Sequence, residues 1–158
     1  QGDHQKAMDY LERALSQADA SQLPEEMSTC LCLRASVYAE RGELEAAFTS
    51  AQLAFETAQR LGETSEPYAR ALRTLGEVEL ARGRLDEAAR RLSQATQHFT
   101  SLHRPFDLGQ CHLAMARLEQ ARGNRRQARM LLRRSAKIFQ TLNSPLALQR
   151  VKDEQQQL

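Results

Sequence analysis

Four glycines stand at nearly equal intervals in this chain. Gly2, Gly42, Gly83 and Gly123 are separated by 40, 41 and 40 residues. A fixed period of this size means a stack of like units, each too small to bury a core alone. The surrounding residues repeat with the glycines. Five positions on stand Ala7, Ala47, Ala88 and Ala128; nine on, Leu11, Ala51, Leu92 and Leu132; twelve on, Ala14, Ala54, Ala95 and Ser135. Nineteen on stand Ser21, Leu61, Leu102 and Leu142. Twenty-two on comes a proline in three units, Pro24, Pro105 and Pro145, while the second unit has Thr64 there and delays its proline to Pro67. Arg41, Arg82 and Arg122 precede three of the glycines.

Each recurring residue has a physical reason. A glycine just past a helix end takes the left-handed conformation without a Cβ clash. An arginine in the last turn meets the negative end of the helix dipole. Small residues at plus five and plus twelve share a face and let a neighbouring helix come close. Proline in a first helical turn costs little, because its missing N–H would be unpaired there. Ser144, before Pro145, is the expected N-cap of the last helix. The pattern predicts helices over 3–22, 25–41, 44–62, 66–82, 85–103, 106–122, 125–142 and 145–157. They group as an orphan second helix (1–22), three full units (25–62, 66–103, 106–142) and a partial or capping helix (145–158) that ends in a polar, weakly patterned tail. The chain opens at a turn, so it is expected to be a piece of a longer array.

The glycine with alanine at plus five, a large apolar residue at plus nine, alanine at plus twelve and a closing proline resembles the tetratricopeptide repeat. Units one and three carry the full Gly–Ala–Leu–Ala set, and Leu75-Gly76 matches the family's leucine–glycine pair. Unit two has Ala51 for the large residue and unit four has Ser135 for the second alanine. The period exceeds the family's usual length of about 34 residues, because the second helices are longer. HEAT-type repeats share the period, but the alanine spacing favours the tetratricopeptide reading. The resemblance implies an all-α, right-handed superhelix of antiparallel helix pairs. Such lengthened repeats resemble those of large bacterial signalling ATPases and regulators. The resemblance therefore implies a non-catalytic scaffold or sensor segment that binds a protein or peptide.

Composition agrees. A hydrophobic content of 41% with 5% aromatics and no Trp suits a thin alanine-rich stack better than a thick sheet core. No apolar run approaches the roughly 18 residues of a membrane span. With no signal peptide in view, the expected setting is cytoplasmic. Cys30 and Cys32 form a C-x-C, and Cys111 sits beside His112. Yet Cys30, Ala71 and Cys111 occupy one repeat position, which reads as small packing residues and not as zinc ligands. His4, His98, His103 and His112 are scattered, without a nucleophile at motif spacing. Glu77 and Glu79, or Asp86 and Glu87, read as surface residues of helices. No catalytic residue, metal or cofactor is expected.

Charge is polarised. Residues 1–79 hold 7 basic and 14 acidic side chains, and residues 80–158 hold 15 and 6, within a total of +2. Arg126, Arg129, Arg133 and Lys137 fall on one stripe of a helix, away from Ala128, Leu132, Ser135 and Phe139, which should face the core. The stripe is either a solvated face or a site for an acidic partner. Nucleic acid is not the expected one, because aromatic stacking residues and a reading motif are missing near it. Self-association, acidic end to basic end, is the alternative function. The resemblance places partner-facing positions on the first helix of each unit. These are Thr29, Cys32 and Ser36; Arg70, Arg73 and Glu77; and Gln110, Leu113 and Arg117. Arginine pairs with carboxylate in bidentate fashion, so Arg70, Arg73 and Arg117 are expected to bind an acidic or C-terminal carboxylate.

Overall fold

The computed structural model describes residues 2–158, with side chains from His4 onward. Eight helices follow in order: α1 Gly2–Ala20, α2 Pro24–Glu40, α3 Leu44–Gln59, α4 Glu66–Ala81, α5 Leu85–Ser101, α6 Pro105–Ala121, α7 Arg125–Thr141 and α8 Pro145–Gln156. No strand occurs among the described residues. Each helix packs on the next, and α2, α4 and α6 also touch in sequence. The result is an all-α solenoid, as the repeat requires.

The turn glycines do what their spacing implies. Gly42, Gly83 and Gly123 have φ of 77°, 77° and 79°. Their backbone N–H groups bond back to Ala39, Leu80 and Gln120, closing the ends of α2, α4 and α6. The opposite turns hold a second left-handed position, twenty residues after the repeat glycine. It is Gly62 in unit two, but Gln22, His103 and Asn143 elsewhere, with φ of 53°, 53° and 48°. The second helices therefore end earlier than periodicity suggests, α1 at Ala20 and α3 at Gln59. The tail of α8, in contrast, stays helical through Gln156.

The 41-residue interval also has a local cause. The turn between α3 and α4 is longer, and Ser65 uses it to cap α4, accepting the Tyr68 N–H at 3.3 Å. Ser144 stands at the N-cap of α8 but its side chain makes no cap hydrogen bond. Pro145 already fixes the first turn there, so the helix forms without the bond.

The small residues sit where helices meet. Ala47, Ala88 and Ala128, and likewise Ala54, Ala95 and Ser135, are fully buried. Where one helix of a pair gains bulk, the other loses it. Ser135 Oγ–H donates to the Gly109 carbonyl at 2.8 Å, and Ser28 Oγ–H to the Ala54 carbonyl at 3.1 Å. A Cβ at Gly109 would lie 2.7 Å from the Phe139 ring, so this glycine makes room for the aromatic. The turn arginines also do more than meet the dipole. Arg82 reaches back to Glu45 at 3.0 Å and Arg122 to Asp86 at 2.8 Å. Each ties the turn of one unit to the start of the second helix in the unit before. Arg82 also lies over the Phe48 ring, 4.0 Å from its centre. Glu79 is not a surface residue. It is 7% exposed and pairs with Arg82 at 3.4 Å, because the same turn folds over it.

Candidate functional site

The first helices of the units share one side of the solenoid. Between them runs an open groove of about 1010 Å³, walled by α2, α4 and α6, with Arg150 of α8 also in its lining. All nine positions singled out on the first helices line it. Thr29, Cys32 and Ser36 come from α2; Arg70, Arg73 and Glu77 from α4; Gln110, Leu113 and Arg117 from α6. The spacing of three and four residues places each trio on one helical face, which explains the convergence. Leu33 and Phe106 add exposed apolar surface, at 53% and 45%. The lining holds four arginines, Arg70, Arg73, Arg117 and Arg150, against two glutamates, Glu40 and Glu77.

These arginines are not equivalent. Arg70 pairs with Glu66 on its own helix and donates to Thr29 Oγ1 at 3.3 Å. Glu66 is also gripped by Arg104 at 2.9 Å. Arg117 is held by Glu154 of α8. Arg73 differs. Its side chain is only 18% exposed, its one carboxylate contact is Glu77 at 3.8 Å, and its Nε has no hydrogen-bond partner among the described residues. Burial works against its charge, while Glu77 and Asp107 favour it, and the net effect raises its pKa. Arg150, in the partial or capping helix ahead of the polar tail, has no carboxylate within 4.0 Å among the described residues. Sequence reasoning missed it because repeat matching stops at unit four. Its only signal was the helical start at Pro145. The Arg126, Arg129, Arg133 and Lys137 stripe lies elsewhere, exposed on α7.

The thiols are poor reagents for chemistry. Burial raises the pKa of Cys32, and pushes Cys111 up to about 12. Cys30 is raised by partial burial and by Glu26. A thiolate is the form that attacks or binds metal. Among the described residues, no three His, Cys, Asp or Glu side chains gather as a metal site. No described helix is long and apolar enough to cross a membrane.

His112 of α6 is the titratable group best suited to a pH test. Its Nδ1 is buried without a partner among the described residues, and burial and Arg134 lower its pKa. The fold disfavours its charged form, whereas the unfolded chain takes up a proton near pH 6.5. The unfolded state then binds more protons, so stability falls as pH drops below about 6.5. Urea unfolding midpoints of His112→Gln should therefore fall less between about pH 7 and about pH 5 than those of the parent. Parallel slopes would contradict this assignment.

Comparison with known proteins fits this architecture. The profile of the MalT-like TPR region matches residues 1–158. A search of curated proteins finds no significant match. Among solved structures, the chain is similar to the crystal structure of BtubC (BKLC) from P. vanneervenii, with 26% identity and a TM-score of 0.71. The alignment covers 90% of this chain and 59% of that one, so the chain spans less than two thirds of BtubC. With its period, its turn glycines and its paired helices accounted for together, the chain belongs to the family of MalT-like tetratricopeptide-repeat regions.

Proposed function

We infer that the chain is a non-catalytic, protein-binding scaffold or sensor segment of a larger, cytoplasmic regulatory protein. Its groove receives a polypeptide segment that bears a carboxylate beside an apolar side chain. The observation that carries this reading is Arg73. A mostly buried guanidinium with an unpartnered Nε and a long contact to its only carboxylate is costly, and such a group calls for an explanation. A carboxylate entering the groove supplies the missing acceptor in fork geometry. Arg150 adds a second unpaired charge, while Leu33, Phe106 and Leu113 offer an apolar floor. Arg70 and Arg117, engaged by Glu66 and Glu154, act as walls that hold the groove open rather than as the main contacts. The family supports the scaffold reading, and the raised thiol pKa values speak against nucleophilic chemistry.

The test is selection of random peptides, about twelve residues long and about 40 Å when extended, displayed against the chain. Enriched sequences should join Asp, Glu or a free C-terminus to a large apolar residue. Arg73→Lys keeps the charge but loses the fork, and should weaken those peptides about tenfold, the worth of one charge-assisted hydrogen bond. Arg150→Ala should weaken them as well. Selected peptides that bind both variants as tightly as the parent would overturn the reading.

A further inference from the structure

Helix α7 carries a charged surface that the groove does not use. Arg125, Arg126, Arg129, Arg133, Arg134 and Lys137 are all exposed, and among the described residues none lies within 4.0 Å of a carboxylate. Most arginines outside α7 are neutralised: Arg41, Arg70, Arg82, Arg104, Arg117 and Arg122 all have carboxylate partners, whereas Arg13, Arg34, Arg60, Arg91 and Arg150 stand singly and form no such stripe.

The repeat itself explains the difference. Three residues after the turn glycine, units two and three carry Glu45 and Asp86. Each receives the turn arginine of the following unit, Arg82 or Arg122. At the same place unit four carries Arg126. The acceptor of the unit-to-unit tie is reversed in sign on the last second helix. Arg126, Arg129 and Arg133 then line one shallow cleft of about 580 Å³ with Met130, which is 38% exposed. Arg129 and Arg133 also border a smaller cleft of about 200 Å³ against Gln155 and Leu158 at the end of α8.

We propose that this edge of the solenoid docks an acidic helical segment of another polypeptide. Its carboxylates, three and four residues apart, pair with Arg126, Arg129, Arg133 and Lys137, and an apolar side chain between them covers Met130. The stripe runs for about 16 Å, or three helical turns, at about 1.5 Å per residue, which matches a short helix. Guanidinium–carboxylate pairing is also what the chain uses at the two equivalent positions. A phosphate polymer would find no stacking platform, since the one aromatic of α7, Phe139, is fully buried. This proposal does not rest on the groove.

The probe is a fluorescent synthetic helix of about 15 residues with Glu on one stripe and Leu beside it, followed by anisotropy. The controls are a peptide of the same composition with its Glu residues scattered round the helix, and a single-stranded oligonucleotide of equal charge. The striped peptide should bind about tenfold or more tighter than the scattered one, and more weakly as salt rises. In an Arg150→Ala background, which weakens any binding of the probe in the groove, Arg129→Glu/Arg133→Glu should abolish the remaining binding. Both reversed residues are exposed, and an unchanged circular dichroism spectrum checks the fold. Equal binding of the scattered peptide, tighter binding of the oligonucleotide, or binding that survives the charge reversal would each overturn the proposal. Sedimentation velocity covers the remaining occupant. Self-association of the parent at low salt, lost in the charge-reversed variant, would assign the surface to a second copy and overturn the foreign partner.

Discussion

Phe139→Ala should cost about 3–5 kcal/mol, among the largest losses expected from a single truncation in this chain. The ring is fully buried among Leu113, Ala116, Leu132, Ala147 and Val151, and its centre lies 5.4 Å from that of Phe106. Gly109 leaves space for it and has no side chain of its own to fill the void. In a solenoid each unit contacts only its neighbours, and the loss stays local. Helices α6–α8 should therefore unfold first, and a denaturant melt should split into two steps. Circular dichroism against urea reads the split, and hydrogen exchange assigns the early step. A single transition shifted by less than about 1 kcal/mol would mean that the ring is not enclosed.

Ala88→Leu should have the next largest effect, a destabilisation of about 1–3 kcal/mol from overpacking. Ala88 is fully buried: Leu92, Ala114 and Leu118 share its cluster, with Leu80, Leu85 and Met115 around them. Its single methyl sets how closely α5 and α6 approach. Gln94→Leu, on the exposed side of the same helix, is the control and should stay within about 0.5 kcal/mol. If the two substitutions behave alike, the register of the repeat is wrong.

What could be read from the sequence follows from what only one residue type can do. A turn at φ near 77° favours glycine, and a tight helix crossing favours a small residue, mostly alanine, so both recur visibly. The second left-handed position was hidden, because Gln22, His103 and Asn143 accept the strain that the turn imposes. The groove positions converged because their spacing is local to each helix. Their pairing state was not legible, since Arg117 finds Glu154 from 37 residues away and from a helix outside the matched repeats. Glu79 read as surface for a different reason: its partner Arg82 is only three residues on, but the burial that the packed units impose on it is not visible in its own helix. Arg150 entered the groove only once α8 had a place.

The most direct measurement of the central claim is the Nε–H resonance of Arg73 in a nitrogen–proton correlation spectrum. A buried Nε–H exchanges slowly enough with water to be seen. Titration with a carboxylate-bearing peptide selected on the chain should move this signal downfield, as the unpartnered donor gains an acceptor, and should leave the Arg70 and Arg117 signals nearly in place. Saturating peptide with Arg73 unmoved would show that the segment binds elsewhere, and that the groove is not the partner site.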